Sequence, residues 1–161
     1  NVENVHYILN GERYDNIDCS ELTRKKVVSV RALGSREEVF EHMTVGENLM
    51  LPSLEKISFW DYIRSSRNIR KMILEENHNL KDVKAEGLGI NERIQMTLER
   101  WYIFNPMVLI LFEPFALCDV NGVDIVKKYV KKFSNNGAIV IIVSTREEYI
   151  EDISDQIIHI G

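Results

Sequence analysis

Long apolar runs are missing from this sequence of 161 residues. No stretch reaches the roughly 18 consecutive apolar residues that a membrane-spanning helix needs, and the amino terminus has no signal-peptide pattern. The sequence therefore predicts a cytoplasmic chain that neither spans a membrane nor crosses one unaided. The chain also starts at Asn1 rather than at methionine, which indicates a piece of a longer product.

Cysteine and clustered positive charge are also scarce. The two cysteines, Cys19 and Cys118, are typical of a protein from a reducing compartment, although the two thiols could still pair. The net charge of −5 and the pI near 5.4 argue against nucleic acid as a partner, because such binding relies on clustered lysine and arginine. The histidines have no ligand spacing, so no metal site is predicted.

What is present fits one compact α/β domain. Apolar residues make up 45% of the chain and charged residues 28%, which is typical of a domain with its own hydrophobic core. Val5 to Leu9 and Glu12 to Tyr14 flank an Asn-Gly pair and predict a β-hairpin, and Lys26 to Val30 predicts a short strand. The stretch from Gly34 to Pro52 is expected to be irregular.

Two helices are predicted in the middle of the chain. Ser58 and Asp61 have the spacing of a helix cap, and Asn91 is expected to cap the second helix, which Pro106 ends. Apolar residues recur on one face of each predicted helix: Tyr62, Ile69 and Ile73 in the first, and Ile94, Leu98, Trp101 and Tyr102 in the second.

Strands and helices then alternate to the end. Apolar runs predict strands at Val108 to Leu111, Ala138 to Val143 and Gln156 to Ile160. Between them, a helix ends at an Asn-Asn-Gly sequence and a short helix follows around Glu147 to Asp152. The apolar stripe of the longer helix is Val126, Tyr129, Val130 and Phe133. Because the strands show no polar alternation, we predict a parallel sheet buried on both faces, with function at the carboxyl ends of its strands.

Those strand ends carry a family resemblance. The segment Asn105 to Pro114, NPMVLILFEP, resembles the Walker B segment of ATP-binding cassettes, the nucleotide-binding domains of ABC transporters. The likeness is greatest to the second cassette of ribose- and galactose-type sugar importers. Asp119 falls at the D-loop aspartate position, and Met43 to Leu49, MTVGENL, is similar to the segment after the Q-loop. The hairpin and two later segments, Asn136 to Ser144 and Ile153 to Ile158, also match, so the likeness covers nearly the whole chain.

The resemblance implies a P-loop NTPase-like parallel sheet flanked by helices. It divides the chain into an amino-terminal β part (1–42), a helical subdomain (43–105) and the Walker B half of the core (106–161). In importers the helical subdomain docks the membrane permease, so Phe59 and Trp60 are candidates either for that contact or for the core. The implied partners are another cassette or a permease subunit at the inner face of the membrane.

The departures from the family fall on the residues that carry chemistry. No G-x-x-x-x-G-K-S/T phosphate loop occurs, so that loop either lies upstream or has been lost. Phe112 holds the position of the Walker B aspartate and cannot coordinate magnesium, unless the strand merely ends one residue early. The signature loop L-S-G-G is replaced by Leu88, Gly89, Ile90 and Asn91. Arg31 falls at the Q-loop position and Thr145 at the switch position.

The remaining acidic residues each have two interpretations. Glu113 keeps the position of the general base, but without a nearby phosphate we expect it to be vestigial, a strand-end carboxylate. Asp119 is either a dimer contact or a carboxylate that favours the start of a helix.

We therefore expect a degenerate cassette that binds no cofactor, is impaired as an enzyme, and acts as a protein-interaction or assembly module of a transport system. Two alternatives stay open. The full product could still bind and hydrolyse ATP with Mg²⁺ through a phosphate loop outside these residues, or it could be a regulatory protein that carries a cassette remnant.

Overall fold

The computed structural model of the chain describes residues 7–9, 11–14, 19–51 and 84–160. The helix predicted after Ser58, together with Phe59 and Trp60, lies outside the described residues. So do the first residues of the predicted hairpin.

The predicted β-hairpin is present. Strand β1 (Tyr7–Leu9) pairs antiparallel with β2 (Glu12–Tyr14), and Gly11 lies between them with a φ of 81°. A positive φ of this size is readily available to glycine, which explains the Asn-Gly turn signal.

A three-stranded parallel sheet forms the centre of the described fold. Its strands lie in the order β3 (Val27–Arg31), β4 (Val108–Phe112) and β5 (Ile139–Val143). The strands are in register, so that Val30 lies beside Leu111 and Leu111 beside Ile142. All three of these strands were predicted, β3 from a short run rich in β-forming residues and β4 and β5 from fully apolar runs.

Four α-helices accompany this sheet in the described residues. They are α1 (Cys19–Arg24), α2 (Val45–Met50), α3 (Ile90–Phe104) and α4 (Val120–Asn135). Short 3-10 turns occur at Arg36–Glu38, Ala85–Gly87 and Glu147–Tyr149. Within the described ranges, no helix combines the length and the apolar character needed to cross a bilayer.

Helices α3 and α4 cover one face of the sheet. Their predicted apolar stripes are confirmed, because Ile94, Leu98, Val126 and Phe133 are all almost fully buried. Helix α3 ends where Asn105 adopts a left-handed conformation, one residue before the expected breaker Pro106. Burying a large aliphatic or aromatic side chain contributes about 1.5–3 kcal/mol, so each of these residues stabilises the packing of the helices on the sheet.

The expectation of a sheet buried on both faces holds at the start of β3 but is wrong for β5. On β3, Val27 and Val28 lie on opposite faces of the sheet and both are buried. Side chains alternate along a strand, and only one set of β5 residues, Val140 and Ile142, packs on the core. The other set, Ile139, Ile141 and Val143, is 63%, 45% and 43% exposed. A uniformly apolar run does not indicate how many of its faces are covered, because coverage depends on elements elsewhere in the chain or the assembly.

Two further predictions of secondary structure are wrong. Gln156 to Ile160 forms no strand, and Ile158 and Ile160 are largely exposed, because an apolar run becomes a strand only when a neighbouring backbone pairs with it. The stretch from Gly34 to Pro52 is not wholly irregular, since it contains α2.

Helix α2 begins with a capping box that the sequence signals. The Thr44 hydroxyl accepts a hydrogen bond from the Glu47 amide at 3.2 Å, and the Glu47 carboxylate accepts one from the Thr44 amide at 2.8 Å. The pattern T-x-x-E in MTVGENL encodes this arrangement.

Candidate functional site

The residues predicted at the Q-loop, Walker B and switch positions meet at one edge of the sheet. Arg31, Phe112 and Val143 are the last residues of three neighbouring strands and lie side by side in register. Glu113 and Thr145 follow directly. The parallel topology therefore brings Arg31, Phe112, Glu113 and Thr145 together, as expected for strands that end at the same edge.

Phe112, at the predicted Walker B position, forms a cation–aromatic pair with Arg31. The guanidinium carbon of Arg31 lies 5.7 Å from the centre of the Phe112 ring, and Phe112 is 36% exposed. The aromatic ring offers no oxygen ligand, and the nearby positive charge disfavours a second cation. In the part of the chain that the structure describes, no group of three His, Cys, Asp or Glu side chains could hold a metal ion.

Glu113 is bound to the end of β5 through both carboxylate oxygens. The Thr145 amide donates to Oε1 at 2.8 Å, and the Ser144 hydroxyl donates to Oε2 at 3.3 Å. The Glu113 amide also donates to the Val143 carbonyl at 2.7 Å. Glu113 has a φ of 45°, a left-handed conformation that costs a non-glycine residue about 1–2 kcal/mol. These bonds tie the ends of β4 and β5 together.

The signature position opens α3 in a way the sequence did not predict. The residue that caps α3 is Gly89, not Asn91, and the Glu92 carboxylate accepts a hydrogen bond from the Gly89 amide at 2.8 Å. Asn91 lies inside the first turn of the helix, so its side chain is not available to cap it. Leu88 is buried, whereas Ile90 is 43% exposed at the surface.

The Asn91 side chain instead contacts the D-loop position. Its Nδ2 group donates to both oxygens of Asp119, which is the N-cap of α4 and accepts a 2.7 Å hydrogen bond from the Gly122 amide. The hydrogen bond from the Gly122 backbone amide, and to a lesser extent the one from the Asn91 side chain, lowers the pKa of Asp119 below its usual value. A side chain at Gly122 would approach Asn91 Oδ1 to 2.8 Å, so glycine permits this close packing.

Cys118 lies next to this contact but is not a reactive thiol. It is a free cysteine, half-buried, and its Sγ donates to the Pro114 carbonyl at 3.3 Å. Burial, with the neighbouring Asp119 carboxylate, raises the pKa of Cys118 to about 11. A thiol with that pKa is almost entirely protonated near neutral pH, and the thiolate is the nucleophilic form.

Sequence reasoning missed a buried polar network behind the Q-loop position. The Arg100 guanidinium donates to the Asn48 carbonyl at 2.8 Å, the Glu38 carbonyl at 2.9 Å and Asn48 Oδ1 at 3.1 Å. Burial lowers the pKa of Arg100 and raises the pKa of the Glu38 side chain, and the two charges partly offset this. The Asn48 side chain binds both the amide and the carbonyl of Phe40 at 2.9 Å.

The network fixes the backbone of one residue whose side chain is exposed. Phe40 has its backbone fixed by Asn48, yet its side chain is 56% exposed. The only sequence signal was the polar Asn48 in an apolar helix, and that signal does not identify its partner Arg100.

The described parallel sheet, with helices on its core face, has the fold of solved ATP-binding cassettes. A solved nucleotide-free ATP-binding cassette from an ABC transporter superposes with a TM-score of 0.69 at 17% identity, over 92% of this chain and 62% of that one. A cassette dimer solved in a post-hydrolysis state with ADP and Pi gives 0.66 at 17% identity, over 89% and 64% of the two chains. These similarities confirm the predicted fold class.

Among curated proteins, the chain is similar to ATP-binding proteins of sugar import. The ribose import ATP-binding protein of Geobacillus kaustophilus is 29% identical over 121 residues, 71% of this chain and 24% of that protein. The xylose import ATP-binding protein of Escherichia coli is 24% identical over 156 residues, 93% of this chain and 30% of that protein. The chain thus spans less than a third of the length of these relatives. No protein-family model matches it. The resemblance to sugar-importer cassettes is confirmed.

Proposed function

We propose that this chain is a non-hydrolytic portion of an ATP-binding cassette, which works in a sugar-import system by binding another protein. The observation that carries the proposal is the pair of Phe112 and Arg31 at the position where the cassette family has its magnesium-binding aspartate. In this proposal the chain binds no cofactor. It is cytoplasmic and reaches the inner face of the membrane only through its partner, a second cassette or a permease subunit.

The chemistry of phosphoryl transfer supports this proposal. Hydrolysis needs Mg²⁺ to neutralise charge on the transferring phosphoryl group, and a phenylalanine ring beside a guanidinium does not provide a site for that cation. The carboxylate at the base position, Glu113, already accepts hydrogen bonds from Thr145 and Ser144. A general base must be free to accept a proton from water, so these bonds favour a structural role.

The surface chemistry supports a binding role. The N-termini of α3 and α4, joined through Asn91 and Asp119, carry the exposed apolar side chains Ile90 and Val120, the latter 80% exposed. Both helix ends are already neutralised by carboxylates, because Glu92 accepts from Gly89 and Asp119 caps α4. A phosphate group from a partner's nucleotide would meet negative charge there, whereas an apolar protein surface would not.

A titration of the chain with ATP and Mg²⁺ up to millimolar concentration tests the proposal. A ligand that binds only the native state adds about 2.7 kcal/mol at 100 times its Kd, which a thermal melt resolves easily. We expect no shift and no calorimetric heat of binding. ADP with Mg²⁺ and ATP without Mg²⁺ are the controls for nonspecific effects. Saturable, Mg²⁺-dependent stabilisation would contradict the proposal.

A second function is favoured by one observation. Glu113 directly follows β4, at the position that the family resemblance gives to the general base. This is compatible with a transporter subunit that hydrolyses ATP through a phosphate loop outside these residues. Measuring ATPase activity of the full-length product, with Glu113→Gln as the comparison, separates the two functions. Activity that falls by orders of magnitude in the variant would favour this alternative.

A further inference from the structure

Helix α4 has an Asn-Gly pair at each of its ends, Asn121-Gly122 in the first turn and Asn136-Gly137 after the last. Asparagine followed by glycine is prone to spontaneous deamidation, because glycine has no side chain to hinder attack by its own backbone nitrogen. The reaction rate at such a pair depends on how freely the backbone between the two residues can turn. The two ends of α4 differ in that respect.

Deamidation at Asn136 would proceed through a cyclic imide. The Gly137 backbone nitrogen, after it loses its proton, attacks Cγ of Asn136. The new N–C bond closes the ring, and the Cγ–Nδ2 bond breaks and releases ammonia. Water then adds to one of the imide carbonyls and opens the ring, which leaves aspartate or isoaspartate. The net change is the hydrolysis of a side-chain amide, so water is the only co-reactant.

The Asn136-Gly137 pair lies at the exposed end of α4. Asn136 has a ψ of 7°, which places the Gly137 nitrogen on the side of the Asn136 nitrogen and away from the side chain. Ring closure therefore requires a turn about the Asn136 Cα–C bond. The Gly137 amide donates to the Ser134 carbonyl at 2.9 Å, and a Cβ at Gly137 would meet nothing within 4 Å. Opening this turn therefore disturbs little of the surrounding structure.

The Asn121-Gly122 pair is held much more firmly. The Gly122 amide donates to the Asp119 carboxylate at 2.7 Å. Gly122 is also buried, and a Cβ there would lie 2.8 Å from Asn91 Oδ1. A turn of this backbone would break the N-cap of α4 and its contact with α3. Asn121 is therefore expected to react much more slowly than Asn136.

One contact with α3 restrains the Asn136 side chain. Its Nδ2 group donates to Asn105 Oδ1 at 2.8 Å, so the leaving group of the reaction is held by the residue that ends α3. Attack on Cγ requires the side chain to swing toward Gly137, which breaks this hydrogen bond. The Asn105 side chain therefore slows the reaction in the folded chain.

We propose that Asn136 is a site of hydrolytic deamidation whose rate Asn105 controls, and that Asn121 is protected by its position in the first turn of α4. This inference goes beyond the proposed function, because it does not depend on whether the chain binds nucleotide or another protein.

The product of the reaction destabilises the end of α4. A carboxylate at position 136 lies at the negative end of the helix dipole and cannot donate to Asn105 Oδ1. Lys132, the basic residue of the last turn, already binds the Glu99 carboxylate at 3.0 Å. Pairing with the new carboxylate would therefore compete with an existing ion pair.

Incubation of the purified chain at mildly alkaline pH, followed by tryptic digestion and mass spectrometry, tests the proposal. Trypsin releases the two pairs in separate peptides, residues 133–146 and 101–127, and fragment spectra distinguish Asn135 from Asn136. We expect Asn136 to deamidate about tenfold faster or more than Asn121, because the exposed helix end opens at lower cost than the tied one. The rate should rise with pH, since the Gly137 amide must lose its proton.

Two variants test the role of Asn105 and the effect of the product. Asn105→Gly suits the φ of 56° while removing the side-chain amide, and should speed deamidation of Asn136 about two- to tenfold, the effect of one ordinary hydrogen bond. The rate at Asn121 in the same sample should not change, which controls for general loosening of the chain. Asn136→Asp reproduces one product and should lower the melting temperature by about 2–4 °C.

Three results would overturn the proposal. One is no deamidation at Asn136 under conditions in which a free peptide of residues 133–138, FSNNGA, reacts. Another is a rate at Asn121 that equals or exceeds the rate at Asn136. The third is an unchanged rate at Asn136 in Asn105→Gly, which would show that the Asn105 side chain does not restrain the reaction.

Discussion

The Nδ2 group of Asn91 donates hydrogen bonds to both carboxylate oxygens of Asp119, at 3.0 and 3.1 Å. This contact joins the first turn of α3 to the N-cap of α4, and so links the signature position to the D-loop position within one chain. The glycine that the family pattern has at position 91 has no side chain and could not make this contact. The contact between Asn91 and Asp119 is therefore an intramolecular tie that depends on the asparagine side chain.

The tie predicts a specific response to acid. Because the Gly122 amide and the Asn91 side chain lower the pKa of Asp119 in the folded state, the carboxylate stabilises the fold above its unfolded pKa, near 3.8. That contribution is lost as the pH falls through the lower, folded value. We expect Asp119→Asn to lower the melting temperature at neutral pH, and the difference from wild type to shrink below about pH 4.

Thermal melts of both chains between about pH 2.5 and pH 7 measure this difference. Asp124→Asn, on the exposed side of α4, controls for the loss of one negative charge. Asn91→Ala should reduce the difference between wild type and Asp119→Asn at every pH above 4, because one of the two causes of the shift is removed. A difference that stays constant down to the lowest pH would contradict the prediction.

The Arg100 network predicts a large effect from a conservative change. Arg100→Lys keeps the charge but cannot reach the Asn48 and Glu38 carbonyls and Asn48 Oδ1 together, so buried acceptors lose their donors. We expect a loss of about 2–4 kcal/mol in the free energy of unfolding, measured with urea. Lys128→Ala, an exposed change on α4, should cost less than about 0.5 kcal/mol.

Hydrogen exchange gives a local check on Arg100→Lys. The Phe40 amide donates to Asn48. Arg100→Lys should therefore increase the exchange rate of this amide, relative to wild type, more than it increases the rates of the amides in β4. Equal effects on both would show that Arg100 supports the whole fold rather than the segment around Phe40.

The central sheet could be predicted because its signals are local. The apolar run before Phe112 predicts a strand, and the stripe from Val126 to Phe133 predicts a helix, each without reference to the rest of the chain. The parallel topology is then sufficient to place Arg31, Glu113 and Thr145 at one edge of the sheet. Helix α2 also has a local signal, the capping box of Thr44 and Glu47.

The remaining features depend on packing between distant segments. Asn48 and Arg100 are 52 residues apart, and Asn91 and Asp119 are 28 apart, so no spacing rule connects them. Whether Ile141 is buried depends on what covers its face of the sheet, which the strand itself does not encode. The Q-loop, signature and switch assignments stay predictions, since only the positions of those residues, not their roles, follow from the geometry.

The contacts and the backbone conformation of Glu113 predict the order of stability of three variants at this position. Glu113→Gln keeps a side-chain oxygen for the Thr145 amide and should change the free energy of unfolding by less than about 0.5 kcal/mol. Glu113→Ala removes the acceptor for Thr145 and Ser144 and should cost about 1–2 kcal/mol. Glu113→Gly loses the same bonds but relaxes the φ of 45°, so it should be about 1 kcal/mol more stable than the alanine variant.

Urea denaturation of the three variants gives this order directly. If Glu113→Gly is instead the least stable, the left-handed conformation is not a significant source of strain. If Glu113→Gln costs as much as Glu113→Ala, the negative charge rather than the hydrogen bonds holds the ends of β4 and β5 together.

Adding a methyl group is expected to cost different amounts at two glycines that have nearly the same positive φ. Gly34 and Gly137 have φ values of 85° and 88°, so alanine at either position has the same backbone penalty of about 1 kcal/mol. At Gly137 the added Cβ meets nothing within 4 Å, whereas at Gly34 it lies 2.7 Å from Cγ1 of the buried Ile94. Overpacking of this kind adds about 1–3 kcal/mol, so Gly34→Ala should cost clearly more than Gly137→Ala.

A double-mutant cycle identifies the contact behind that excess. Ile94→Ala alone should cost about 2–5 kcal/mol through the cavity it leaves in the core. Combined with Gly34→Ala it should cost less than the sum of the two single changes, because the new methyl group then occupies space that the shorter side chain vacates. Strict additivity in urea denaturation would mean that the cost at Gly34 comes from its backbone alone. It would also mean that the turn between β3 and α2 moves away from α3 without loss.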